Sequence, residues 1–243
     1  MKSVTSFIGT FPKILSVIPS TMLLFFCVII TGTILGMLLT MVRLKKSKIG
    51  NAVVSIYISF IRGTPLLIQI MIVYFGLKAI LVDGLGIKDA SHLNTGVFVY
   101  VAYALNLACF LCETFRGAYL AIDKGQIEAA ISISMNKSQV FRRVILPQGA
   151  RIALPNMSNL LLDDLKAISL AFSIGFVEMM GKGQALSNAR HGIGAIGIYL
   201  GVAITYWVLC FLLDKLLRGI ENYLNKDIRV LGTVQRVAGK GGA

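Results

Sequence analysis

Long apolar runs alternate with short charged ones along this chain, and the widest interruption, Lys124 to Arg151 (KGQIEAAISISMNKSQVFRRVILPQGAR), constrains the rest most. It carries Gln126, Glu128, Lys137, Arg142, Arg143 and Arg151. A charged side chain at the bilayer centre costs roughly 2.5 to 3.5 kcal/mol even on the lenient insertion scale. The stretch therefore lies in water while its neighbours lie in lipid. Of the 243 residues, 56% are hydrophobic, too many for a water-soluble globule, and residues 1–243 read as one polytopic, all-α membrane domain. In a soluble protein the formal charge of +13 would suggest nucleic acid. In a membrane protein it reports cytoplasmic loops rich in Lys and Arg, and no nucleic-acid partner is expected.

The island has a helix, break, helix pattern, so the segment at about 122–151 is expected to form a hairpin on one membrane face. Gly125 precedes a helical run from Gln126 to Ile133, Ser134-Met135-Asn136-Lys137 is turn-like, and Ser138 is placed to cap a second helix running to Pro147. Ala129 and Ala130 permit close backbone approach, and Glu128 offers a charge to a basic rim. The plain alternative is a solvated loop joining two membrane helices.

Five spans are expected. Residues 1–14 form a polar and aromatic lead with no cleavable signal pattern, and the first span runs from about Ile14 to Val42, with Gly32 and Gly36 four apart so that a second helix can approach closely. The basic block from Arg43 to Lys48 ends it. Residues Ile49 to Ile61 suit an interfacial elbow helix. Arg62 then stands where a helix enters lipid, with Pro65 in that helix's first turn. The second span ends near Leu81, before an outer loop from Asp83 to Thr95 in which His92 is simply solvated. The third, about Gly96 to Ala121, holds Asn106 and the pair Glu113 and Arg116, three apart on one face.

Pro155 is expected to start the fourth span, which contains Asp163, Asp164, Lys166, Ser169 and Ser173. Such charges usually face a bundle interior or a watery cavity, and Asp163 and Lys166 at three apart can form a compensating pair. A milder reading has the aspartates snorkelling into water near the inner boundary. Glu178 to Gly194 reads as a second outer loop, and the fifth span runs from about Ile193 to Leu217 before a basic cytoplasmic tail at about 218–243. Sixteen of the 24 Lys and Arg fall on the side of the hairpin and tail and six on the other. The expected topology is therefore N-terminus outside and C-terminus cytoplasmic. Cys27, Cys109, Cys112 and Cys210 all lie in apolar spans and are expected to be small membrane-facing residues.

Glu128-Ala129-Ala130, followed by Ile145-Leu146-Pro147, resembles the EAA loop of the membrane subunits of ABC importers. The longer form, Gly125-Gln126-Ile127-Glu128-Ala129-Ala130 with Pro147-Gln148-Gly149-Ala150-Arg151-Ile152-Ala153-Leu154-Pro155, is similar to the polar amino-acid permease branch that carries histidine, glutamine, arginine or cystine. Arg62-Gly63-Thr64-Pro65-Leu66-Leu67 is similar to the RGTPLL signature of those permeases, and Glu113-x-x-Arg116-Gly117 matches the pattern preceding their loop. The resemblance implies a methionine-permease-like, type I ABC importer fold in which the hairpin is a coupling helix seated in a dimer of cytoplasmic ABC ATPase subunits. It implies a second permease copy or homologue, an external solute-binding protein, and a substrate path at the permease interface. Gly125, Gln126, Glu128, Ala129, Ala130, Ser134 and Pro147 would couple to the ATPase. The substrate-path candidates are Lys166, Ser169, Asp163 and Asp164, and Arg62, Pro65, Glu113 and Arg116 would anchor or pair helices.

Two departures from the family stand out: Ser134 replaces the usual turn glycine, at a position suited to positive φ, and Ala167-Ile168 replaces Asp-Thr of an L-K-D-T-S-L run. Ser169 to Gly175, with Ile198-Tyr199-Leu200 and Tyr206-Trp207, looks most like the cystine-type permeases. There is no phosphate-binding loop of the form G-x-x-x-x-G-K-[ST], so the chain itself is expected to be no enzyme, with ATP and Mg on the partner subunit. The two histidines make no metal site. The alternative is a gradient-driven transporter or ion channel using Asp163, Asp164 and Lys166. Against it stand the absence of an inverted repeat and the large hairpin.

Overall fold

The computed structural model describes residues 2–45, 47–87 and 93–226, with side chains from residue 6 onward. Lys46, Lys88, His92 and the tail from 227 lie outside the described residues. Among the described residues every regular element is a helix. The first is α1 (Lys2–Leu15), a helix over what the sequence marked only as a polar and aromatic lead. Phe7, Phe11 and Ile14 recur at helical spacing along it and pack where Gly201 leaves the last helix bare: a β-carbon at Gly201 would stand 3.2 to 3.6 Å from all three. With α1 thus docked on the last helix, Ile14 is fully buried beside Met179, Ile198 and Val202.

The first span is α2 (Ile18–Leu44). A β-carbon at Gly32 would meet the Leu107 side chain at 3.0 Å, and one at Gly36 would meet Leu111 Cβ at 2.9 Å and the Ala108 carbonyl at 3.2 Å. The two glycines thus let α2 lie directly on α6 (Thr95–Leu120). Lipid is as apolar as leucine, so close van der Waals packing and interhelical hydrogen bonds hold such a pair together. Thr40 supplies one, its Oγ1 donating 3.1 Å to the Cys112 carbonyl. Ser47 caps the elbow helix α3 (Lys48–Gly63), whose Val54, Ile58 and Ile61 pack on Cys109 and Cys112. Those two cysteines are buried between helices, contrary to the membrane-facing expectation, while Cys27 is exposed.

The second span, Leu66–Gly84, is one helix with two wide turns: α4 (Leu66–Met71), a π-turn at Ile72–Gly76, α5 (Leu77–Ala79) and a second π-turn at Ile80–Gly84. Pro65 stands just outside it, as its extended N-cap. The hairpin follows α6 as α7 (Lys124–Ser132), a turn, and α8 (Lys137–Val140). The chain then runs through a π-turn (Phe141–Ile145) into α9 (Leu146–Ala167) and a 3-10 segment (Ile168–Ile174).

Neither proline on this path acts as a boundary. Pro147 was expected to end a helix and Pro155 to begin one, yet the helix continues through both. Proline removes a donor and crowds the carbonyl four residues back, and a π-turn just before Pro147 widens the helix where that crowding falls. The expected outer loop contains α10 (Met179–Asn188), and the last helix, α11 (Ala195–Leu224), outlasts its expected end by two turns. Among the described residues four helices are long and apolar enough to cross a membrane. The α9 path is the fifth, its apolarity diluted by Asp163, Asp164 and Lys166. The core between them joins Phe25, Tyr103, Leu111, Leu165, Ile168 and Leu217.

Candidate functional site

The hairpin is built by local backbone chemistry. Asp123 accepts from the Gly125 amide at 2.9 Å and starts α7. α7 ends in a Schellman arrangement, with the Ser134 amide donating to the Ile131 carbonyl at 2.9 Å and the Met135 amide to the Ala130 carbonyl at 3.2 Å. That closure requires a left-handed residue, and Ser134 supplies it with φ 62°. The second arm is capped by Asn136, which accepts from the Gln139 amide at 3.0 Å while Gln139 accepts from the Asn136 amide at 2.9 Å. This reciprocal box displaces the expected Ser138 cap, because an asparagine with glutamine three residues on satisfies two end amides at once.

Gln148 donates to Gln126 at 2.5 Å and ties the arms together. Ala130 and Val140 are buried, whereas Gly125, Gln126, Glu128, Ala129 and Pro147 are exposed, as are Ile131 and Ile133 at 59% and 68%. The tip of the hairpin thus presents a carboxylate, a small residue and two isoleucines that are exposed among the described residues. At its base an apolar cleft of about 290 Å³ separates Phe141, Ile145 and Leu146 of the second arm from Met37 and Met41 of α2 and Phe115 of α6.

The charges of the fourth span do not form one group. Asp163 and Lys166 pair at 2.8 Å with side chains 71% and 57% exposed, and Ser169, one turn on, donates to the Lys166 carbonyl at 2.7 Å. Asp164, one position round the helix, is buried, and its Oδ2 has no hydrogen-bond partner among the described residues. Asp163 and Lys166 thus stand on the exposed side of the helix and Asp164 on its buried side, adjacent residues pointing about 100° apart.

Near the hairpin end of α6, Glu113 pairs with Arg116 at 2.7 Å and also with Arg43 of α2 at 3.3 Å. Arg43 further donates to Ser55 of α3, so Glu113 and Arg43 together link three helices. Arg62 lines an open cleft together with Arg43 and Glu113. Sequence reasoning found the Glu113–Arg116 spacing but not Arg43, whose partner lies 70 residues away.

It also missed two polar centres deeper in the bundle. Gln69 donates to the Ile61 carbonyl at 2.8 Å and the Thr64 carbonyl at 2.9 Å, closing the break between α3 and α4, and accepts from Asn106 at 2.8 Å. Glu178, fully buried, accepts from the Met180 and Gly181 amides and from the Tyr206 hydroxyl, each at 2.6 Å. It caps α10 and fastens it to α11. Burial pushes its carboxyl above the ordinary glutamate range, while the three donors pull the other way. Among the described residues no cluster of His, Cys, Asp and Glu could hold a metal.

Five membrane helices, an interfacial elbow and a water-exposed helical hairpin between the third and fourth spans define a type I ABC importer permease of the methionine-permease-like fold. The chain belongs to the family of binding-protein-dependent transport system inner membrane components, whose model matches residues 29–226. It is 36% identical over 229 residues to the L-cystine transport system permease protein TcyL of Bacillus subtilis (strain 168), covering 93% of this chain and 94% of that one. A second L-cystine transport system permease protein of that organism, TcyB, is 34% identical, covering 87% and 84%. Among solved structures, the crystal structure of an amino acid ABC transporter with histidines superposes with a TM-score of 0.77 at 27% identity, over 90% of this chain and 98% of that one. This chain is thus a multi-pass inner-membrane permease subunit of an amino-acid ABC importer.

Proposed function

We propose that the chain moves L-cystine, or a polar amino acid close to it, through a pathway shared with a second permease copy or homologue. An external solute-binding protein delivers the substrate, and ATP with Mg is hydrolysed on a separate dimeric ATPase seated on the hairpin. The observation that carries the coupling role is the exposed tip, where Glu128, Ala129, Ile131 and Ile133 stand on α7 and its end, closed by a tight turn onto a second arm that runs unbroken into the fourth span. Such a rigid path is what a plug needs in order to pass movement to the membrane, and the cleft at its base leaves room for it to tilt. The exposed Asp163–Lys166 pair on α9 and half-buried Ser169, in the 3-10 segment just beyond it, are the pathway-facing candidates. Asp164 supports the helix from behind. The cystine assignment rests on similarity to two cystine permeases across nearly the whole chain.

The test is a reconstituted complex of permease, ATPase and binding protein. Glu128→Lys should cut substrate-stimulated ATP hydrolysis roughly ten-fold, a coupling loss of ordinary size, with membrane insertion unchanged. Stimulation equal to wild type would refute the coupling role. Uptake of labelled arginine, histidine or glutamine in preference to cystine would refute the substrate.

A further inference from the structure

The cleft where the elbow helix meets α2 and α6 holds more positive charge than its own carboxylate neutralises. It is open, measures about 500 Å³, and is lined by Arg43, Ser55, Ser59, Arg62 and Glu113. Glu113 is already matched by Arg116 at 2.7 Å. Arg43 is held in place by Ser55 and by a longer contact of 3.3 Å to Glu113. Arg62, exposed at the end of α3, forms no ion pair among the described residues. Three guanidinium groups thus serve one carboxylate.

The shape of α3 points to what completes the site. At 100° per residue, Ser55, Ser59 and Arg62 fall within about 60° of one another, and Lys48 lies two turns earlier on the same line. Ile49, Val53, Ile56 and Phe60 form a second stripe, 80%, 61%, 71% and 49% exposed. The third stripe, Val54, Ile58 and Ile61, is buried on the cysteines of α6. A helix that exposes an apolar stripe beside a basic, hydroxyl-bearing one lies in the interfacial plane, where phosphate groups and acyl chains meet.

We propose that this cleft is a headgroup site for an anionic phospholipid. The phosphate lies against Arg43 and Arg62, with the Ser55 and Ser59 hydroxyls beside it, and the acyl chains run along Ile56 and Phe60. Arginine suits the task because its planar fork gives two parallel hydrogen bonds to a phosphate and is only weakly hydrated. A free phosphate would satisfy the same charges. The lipid is the occupant because the cleft opens directly beside the exposed apolar stripe, which a small ion would leave uncovered.

The site is tested on the full-length permease with its ATPase, by native mass spectrometry during titration with phosphatidylglycerol or with phosphatidylcholine of the same chains. Phosphatidylglycerol should be retained preferentially. Arg62→Gln should reduce that retention about five-fold, the usual effect of one basic residue at an anionic surface. Ser55→Ala with Ser59→Ala, which leaves every charge in place, should reduce it about two- to ten-fold. Arg62→Lys, which keeps the charge but loses the planar fork, should fall between wild type and Arg62→Gln, and Lys137→Gln at the hairpin should change nothing. Equal retention of the two lipids, an equal loss in Lys137→Gln, or retention intact in both cleft variants would overturn the proposal. Displacement of the lipid by millimolar inorganic phosphate would assign the cleft to a small anion instead.

Discussion

Ser134 bears a β-carbon in a left-handed conformation that the Schellman closure of α7 imposes on it. For an L-residue this costs roughly 1 to 2 kcal/mol, and glycine escapes most of it. Ser134→Gly should therefore stabilise the purified protein by about 1 kcal/mol, read as a higher melting temperature, while uptake stays at the wild-type level. A fall in melting temperature would mean that the serine makes up elsewhere for its backbone strain. Glu178 is the opposite case, a polar residue whose every acceptor is used. Glu178→Ala would strand the Tyr206 hydroxyl and two amides in a buried site at about 1 to 3 kcal/mol each, whereas Tyr206→Phe removes only one bond, worth about 1 kcal/mol. Thermal unfolding in detergent should rank the two variants in that order. Equal loss would show that water enters the site.

Among the elements, the α2–α6 pair depends on the two glycines that bring it together. Gly36→Ala drives a β-carbon to 2.9 Å from Leu111 Cβ and 3.2 Å from a backbone carbonyl. Neither can swing aside as a flexible side-chain end would, so the change should cost about 1 to 3 kcal/mol by overpacking. Gly117→Ala on the same α6 meets nothing within 4 Å and should be neutral or slightly stabilising, by helix propensity. Resistance to unfolding by a harsh detergent compares the two directly. The 3.6-residue apolar period of Phe7, Phe11 and Ile14 was present in the sequence, but intervening serines, threonines and Pro12 obscured α1. Its helix is held by α11, nearly 190 residues on.

At the scale of the whole molecule, the excess of Lys and Arg on the side of the hairpin predicts that this side is cytoplasmic. A cysteine introduced at Ser138, in a background lacking the native four, should be labelled by a membrane-impermeant thiol reagent only in inside-out vesicles. Labelling of intact cells would invert the topology. Composition and the spacing of charges were enough to specify a polytopic helical membrane protein, the water-exposed hairpin and its family motifs. Each of those depends on residues close in sequence: apolar runs long enough to cross lipid, a cap, a turn, a dense basic block. Tertiary structure alone decided that Asp163 and Asp164 part company, that Arg43 joins Glu113, that Glu178 binds Tyr206, and that the helix passes through Pro147 and Pro155. A side chain's partner across the bundle is set by which helices pack together, and neither periodicity nor local propensity carries that information.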